Sequence, residues 1–216
     1  MLNKVKLGNI SKFTRGITYS KRDEVDKNGV SVLRATNIDF NSNKLIIDDL
    51  RHIKKSLQID KEKFLKKNDI LICIASGSKT HLGKVALIDN DMDMVFGGFM
   101  ATLRCNENCL PKYLFYNLIS SNFKNHIFSL TTGININNLK FSQIENFHIN
   151  LPIISEQRKI IKKLDIIFSN IDKKINNELK MKNVYDDLFD KVLEDSFGNN
   201  NLKSLSNFII YEKVKG

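Results

Sequence analysis

The segment Gly77-Ser78-Lys79-Thr80-His81-Leu82-Gly83-Lys84-Val85 carries glycines, lysines and hydroxyls of the kind that cradle a nucleotide phosphate. A phosphate loop needs the spacing G-x-x-x-x-G-K-[ST], so that backbone amides surround the phosphates and the final hydroxyl reaches magnesium. Here the glycines stand six apart and Val85 occupies the hydroxyl position, which argues against nucleotide binding. Glu178-Leu179-Lys180 has the Glu-x-Lys spacing of a metal-dependent nuclease, where a carboxylate holds the metal and a lysine assists the attacking water. It lies inside a long helical pattern, where such charges are ordinarily solvated flanks. His52, His81, His126 and His148 are scattered without ligand spacing, and no Gly-x-Ser-x-Gly elbow occurs. The prolines are Pro111 and Pro152, so the Asn/Asp-Pro-Pro-aromatic motif that amino-methyltransferases use is missing. Cys73, Cys105 and Cys109 are odd in number and lack C-x-x-C pairing, which supports neither a disulfide framework nor a zinc site. The expectation is a protein with no catalytic residues, no metal and no cofactor of its own.

What remains is charge. Lys and Arg number 34 against 24 Asp and Glu, a net of +10 that attracts polyanions. Only six are Arg, and a Lys-, Asn- and Ile-rich composition can arise without selection for nucleic acid, so position matters more than the total. Residues 1–154 hold 22 basic and 14 acidic side chains, whereas 155–216 hold 12 and 10. The excess gathers at Lys12-Arg15-Lys21-Arg22, Arg51-Lys54-Lys55 and Lys61-Lys63-Lys66-Lys67. The last cluster reads equally well as a solvated face.

Two kinds of element must position these groups. Up to about residue 105 the pattern is strand-like: 30–38, 45–47, 69–75, 83–88 and 94–104 are short β-branched or apolar runs, separated by turns such as Asn28-Gly29 and Ser76-Gly77-Ser78. Pro111 suits a first helical turn, and Leu114, Phe115, Leu118, Ile119, Phe123 and Ile127 share one helical face that reads as core. A polar loop over 131–138 and a strand over 146–151 follow. After Pro152, Ser155 is a plausible N-cap and no Pro or Gly occurs before Gly198, so roughly 43 residues can form one helix of about 64 Å. A heptad frame through Ile160, Leu164, Ile167, Ile171, Met181, Tyr185, Leu188 and Val192 gives it an apolar seam; Lys174 and Glu178 interrupt the frame, with Ile175 and Leu179 beside the gap. A helix this long and apolar implies a partner helix. The fold class expected is α+β: a mixed, β-rich domain over 1–153, a long coiled-coil helix over 154–198, and a segment 199–216. In that segment Leu205 and Asn207 echo Leu7 and Asn9. No apolar run approaches the ~18 residues of a membrane span and no secretory signal is evident, so a cytoplasmic protein is expected.

These segments together resemble the specificity (S) subunit of type I restriction-modification systems. The matching tracts are Val5-Lys6-Leu7-Gly8, Gly16-Ile17-Thr18, Val32-Leu33-Arg34-Ala35-Thr36-Asn37-Ile38, Asn68-Asp69-Ile70-Leu71-Ile72, Ser76-Gly77-Ser78, Leu82-Gly83-Lys84-Val85-Ala86 and Pro111-Lys112-Tyr113-Leu114-Phe115-Tyr116. The most specific is Leu151-Pro152-Ile153-Ile154-Ser155-Glu156-Gln157-Arg158-Lys159-Ile160, which looks like the family's junction between target recognition domain and spacer helix. Family members usually carry two such domains, each followed by a helix, the two helices packing antiparallel. With one of each, this chain would be a half-subunit working as a homodimer on a two-fold symmetric, interrupted site, or a fragment of a longer chain. The resemblance implies double-stranded DNA as ligand, and as partners adenine-N6 methylation subunits that hold S-adenosylmethionine, with a motor-nuclease subunit joining for cleavage.

Candidate DNA contacts are polar or cationic residues in loops. Arg34 pairs bidentately with guanine and Asn37 with adenine, although Arg34 equally suits a structural ion pair. Ser76, Ser78, Lys79 and Thr80 form a turn that could approach a phosphate or be a plain hairpin turn. Thr132, Gly133, Asn135, Asn137 and Lys140 make a second polar loop. Tyr19, Lys21 and Arg22 are followed at once by Asp23, Glu24 and Asp26, and Lys84 could merely cover apolar surface. Gly97-Gly98 reads as a bulge or a close backbone approach. Competing readings are a stand-alone coiled-coil dimeric DNA-binding protein, such as a repressor or decoy, and an RNA binder, against which the lack of an aromatic RNP motif counts.

Overall fold

A computed structural model describes residues 3–131 and 138–197. Thr132, Gly133, Asn135 and Asn137 lie outside the described residues, as does the segment 199–216. The chain divides after Ile161 into two compact units.

The first unit is built on two four-stranded sheets. One has the order β2 (Ser11–Arg15), β9 (Met100–Cys105), β6 (Ile70–Cys73), β7 (Val85–Leu87), all antiparallel. The other has the order β3 (Glu24–Val25), β5 (Arg51–Ile53), β4 (Val30–Leu33), β8 (Met94–Phe96), with β4 and β8 parallel. The central strand β6 is buried along its whole length. Its alternation sends Ile70 and Ile72 into one core and Leu71 and Cys73 into another, as a strand covered on both faces requires. The first core is closed by α1 (Pro111–Leu118), α2 (Ser121–Thr131) and α3 (Phe141–Glu145) through Leu114, Leu118, Phe123, Ile127 and Ile144. The second joins the two sheets through Leu33, Phe96 and Met100. A pair of short strands, β1 (Lys4–Lys6) and β10 (His148–Asn150), brings the start of this unit beside the entry to the long helix α4 (Ile154–Phe197).

The structure revises several sequence expectations. The run 94–104 is two strands in different sheets, split by the turn at Gly97–Gly98. The run 30–38 stops at Leu33 and continues as a single 3-10 turn, Ala35–Asn37. Leu45–Ile47 forms only an isolated bridge, Leu45 to Ile38, and β5 carries no alternating pattern in sequence. The helix after Pro111 breaks at Ser120, where the Ser120 hydroxyl turns back to the Asn117 carbonyl at 2.6 Å and α2 begins. Helix α4 starts at Ile154, so Ser155 sits inside its first turn and is not its N-cap.

Two buried polar groups fix the frame. The Asp69 side chain, 2% exposed, accepts from Arg104 Nε at 2.6 Å and Nη2 at 2.9 Å, and from the Lys66 amide at 2.9 Å. Gln157 is wholly buried: its Oε1 accepts from the Leu110 amide at 2.8 Å, and its Nε2 donates to the carbonyls of Asn108 at 2.9 Å and Pro152 at 2.8 Å. That amide ties the first turn of α4 to the loop before α1. Beyond Ile161 the second unit is helix alone among the described residues. Among the described residues, no helix is long and apolar enough to cross a membrane.

Candidate nucleic-acid interface

Strands β2, β4, β6 and β8 all end on the same side, because β4 runs parallel to β8 and both β2 and β6 run antiparallel to β9. The residues just past their ends line one open cleft of about 570 Å³. Arg15 ends β2 and Thr18, Tyr19 and Lys21 follow it, Arg34 and Thr36 come from the turn after β4, Ser76 and Gly77 from the turn after β6, and Gly97 to Phe99 from the turn between β8 and β9, which Met100 opens. The backbones meet closely here: a Cβ on Gly16 would sit 2.2 Å from the Gly97 carbonyl oxygen, so only glycine fits.

The cleft is cationic. Arg15, Lys21 and Arg34 line it with one carboxylate, Glu24, which pairs with Arg51 at 3.6 Å. Of the acidic residues after Arg22, Glu24 is thus paired with Arg51 and Asp23 is taken up by its own turn. Asp23 accepts from the Ser20 amide at 2.8 Å and hydroxyl at 2.7 Å; those bonds hold its carboxyl below the usual range. Lys21 and Arg22 stay exposed on the 3-10 turn this cap stabilises. Burial, with Glu24 nearby, pushes the Tyr19 phenol up, so its hydroxyl remains a donor at neutral pH. Arg15 stacks over the Phe141 ring at 5.5 Å, beside the exposed Lys140 at the start of α3. Arg34 Nη2 lies 3.1 Å from the Asp49 carboxylate, but Asp49 is 87% exposed, and such a tie is worth about 1 kcal/mol or less. Arg34 Nε is buried without a partner among the described residues.

The structure removes two candidates from this surface. Asn37 is 2% exposed; its Oδ1 accepts from the Arg34 amide at 2.9 Å and its Nδ2 donates to the carbonyls of Ile46 and Asp49, each at 3.0 Å. It holds the turn that presents Arg34 and has no donor left for adenine. Lys84 Nζ donates to the Ile38 carbonyl at 3.2 Å and lies 5.5 Å from the Phe40 ring centre, so it latches a loop and covers apolar surface. With Thr80 it lines a separate apolar hollow that includes Leu82 and Phe128. The 76–80 turn is thus divided: Ser76 faces the cleft and Thr80 the hollow. Its hydroxyls also serve the turn, Ser76 Oγ accepting from the Ser78 amide at 3.2 Å and Ser78 bonding Thr80 at 2.8 Å. Lys79 lies in the 3-10 turn Lys79–His81. In the Lys61–Lys67 cluster, Lys63 caps the Arg15 carbonyl at 2.6 Å, while Glu62 neutralises Lys12 at 3.0 Å.

Thr18, Thr36, Phe99 and Asn138 also line the cleft, and none is among the contacts expected from the sequence. Phe99 had a signal, an aromatic residue directly after a glycine pair; the others had none. Burial pushes the Cys73 thiol up to about 11, leaving it protonated at neutral pH.

A match to the model of the type I restriction modification DNA specificity domain extends over residues 2–181. The chain belongs to this family. It is 32% identical over 166 residues to the type I restriction enzyme StySPI specificity subunit of Salmonella potsdam, and 31% identical over 166 residues to the EcoKI specificity subunit of Escherichia coli K12. Both alignments cover 76% of this chain and 35% of the relative, so the chain spans about a third of the length of the specificity subunits it matches. Among solved structures, a chain of a type I R-M system superposes with a TM-score of 0.65 at 18% identity, covering 86% of this chain and 43% of that one. The HsdS subunit of Thermoanaerobacter tengcongensis gives 0.55 at 20% identity over 78% of this chain and 37% of its own. These likenesses establish the specificity-domain fold, α+β with a long C-terminal helix.

In this specificity domain the seam expected to begin at Ile160 begins later. Ile160 and Ile161 pack on the domain's own core. From Ile167 onward the seam is uncovered: Ile167, Ile171, Ile175, Leu179, Met181, Tyr185, Leu188 and Val192 are each 46–62% exposed, and Leu164 is half-buried.

Proposed function

We propose that this chain is a DNA sequence-specificity subunit of a type I restriction-modification complex, without catalytic residues of its own. Residues 1–153 read one half of an interrupted target and 154–198 act as spacer and dimerisation helix; 199–216 resemble the start of a second repeat. Two copies joined through the seam from Ile167 to Val192 supply both halves, and the assembly docks adenine-N6 methylation subunits and a motor-nuclease subunit in the cytoplasm. The observation that carries the reading is the convergence of Arg15, Lys21 and Arg34 with hydroxyl and aromatic side chains in one cleft of a specificity-family domain. Cations there contact phosphates for affinity and register, while Arg34 and its neighbours reach base edges.

The experiment is a salt titration of duplex binding by the assembled complex. Lys21→Ala should weaken binding to target and random duplex alike and make the slope of log K against log salt shallower by about 0.9 for each recognition domain bound. Arg34→Lys keeps the charge but loses the planar fork, so it should erode discrimination between target and random duplex by about 1–3 kcal/mol with the slope unchanged. Salt-independent binding, or identical effects of the two substitutions, would contradict the assignment.

A further inference from the structure

Phe99 is 69% exposed, yet it stands on one of the most tightly tethered turns of the domain. The turn Gly97-Gly98-Phe99-Met100 is closed by the Met100 amide donating to the Gly97 carbonyl at 2.8 Å. It is tied to three neighbouring segments: the Gly97 amide to the Leu33 carbonyl at 2.9 Å, the amides of Ile74 and Ala75 to the Phe99 carbonyl at 2.9 and 3.1 Å, and the Gly16 amide to the Met100 carbonyl at 3.0 Å. All of these bonds use main-chain atoms, so nothing in the turn depends on the phenyl ring. A Cβ on Gly98 would lie 3.3 Å from the Ile17 carbonyl oxygen, so the turn also packs closely against the β2 exit. The backbone entropy of presenting the ring is thus already lost on folding, which favours contact over ordering a loose loop.

The ring's surroundings decide what it fits. It borders the cleft together with the donors and hydroxyls of Arg34, Lys21, Tyr19 and Ser76, the carboxylate of Glu24 and apolar side chains such as Ile17. An apolar group among donors matches the major groove, whose base edges carry acceptors, amino groups and one apolar substituent, the thymine C5-methyl. The minor groove presents no apolar group. Resting on the DNA-reading role proposed above, we infer that Phe99 is a specificity-determining residue whose ring packs on the C5-methyl of a thymine in the recognised half-site.

The test uses the assembled complex and a duplex carrying its mapped half-site, with each thymine replaced in turn by deoxyuridine, which removes only the methyl. One replacement should weaken binding by about fourfold, the effect of uncovering a single buried methyl group. Phe99→Ala should weaken binding to the thymine duplex by a similar or larger factor and become indifferent to that replacement. Phe99→Leu should retain the sensitivity, since an apolar side chain remains. If Phe99→Ala kept the full deoxyuridine response, or if no thymine position responded in the parent, this inference would fall while DNA reading by the cleft stood. A large loss in Phe99→Ala that is the same with thymine and deoxyuridine would mark a wedge between base steps and overturn it too. Absence of any preference for the half-site over random duplex would remove the specificity reading itself, and this inference with it.

Discussion

Replacing Asp69 by alanine should lower the stability of the recognition domain by about 3 kcal/mol, the largest single-residue effect expected outside the apolar core. Asp69 is 2% exposed and both its oxygens bind the Arg104 guanidinium, with the Lys66 amide as a further donor. Removing the carboxylate strands a cation and an amide that folding has largely desolvated. The figure sits at the lower end of the usual 3–5 kcal/mol because Arg104 keeps 26% of its side chain in water and also donates to the Phe64 carbonyl at 3.2 Å. In a chain of this size that corresponds to a fall in Tm of roughly 6–12 °C. Asp69→Ala combined with Arg104→Met should lose less than Asp69→Ala alone, since the double variant leaves no unpaired charge. Calorimetry of the three proteins checks this, and a melt of Asp69→Ala within about 2 °C of the parent would show that the pair does not hold the sheet.

The second large effect belongs to the helix. Between Ile167 and Val192 the seam side chains are about half exposed, and a lone helix with so much apolar surface is marginal in water. In the proposed antiparallel, two-fold dimer every substitution counts twice. Ile171→Asp with Ile175→Asp therefore places four carboxylates in the seam. At about 1 kcal/mol for each apolar side chain lost, the dimer weakens by ~4 kcal/mol, or about a thousandfold in Kd. Sedimentation should show the parent as a dimer and the variant as a monomer, with the melt of the domain over 1–153 unchanged because both substitutions lie in the other compact unit. A monomeric parent at high micromolar concentration, or a variant as dimeric as the parent, would contradict the homodimer.

The sequence was most informative where a pattern is local and periodic. The continuous apolar run at Ile70 to Cys73, the helix opened by Pro111 and the uninterrupted run after Pro152 all have structural counterparts. It was least informative where partners lie far apart in the chain. Nothing near Asp69 announces Arg104, thirty-five residues on, and nothing near Gln157 announces the Asn108 and Leu110 backbone groups it binds. Strand β5 escaped notice because Arg-His-Ile has no alternation to read and pairs only by virtue of the strands on either side. Asn37 misled for a related reason: an asparagine that can read adenine is chemically the same as one that can hold a turn, and only its burial distinguishes the two. The placing of Phe99 is not legible in sequence, because its carbonyl, held by the amides of Ile74 and Ala75 more than twenty residues earlier, is what positions the ring.

The central claim, that this chain supplies DNA sequence specificity to a methylation complex, is tested most directly by co-expressing it with an adenine-N6 methylation subunit encoded beside it and mapping methyladenine across the host genome. The account predicts a new interrupted motif whose two halves are inverted copies of one another, since one recognition domain is used twice. A stably formed complex that leaves no new methylated motif would contradict it.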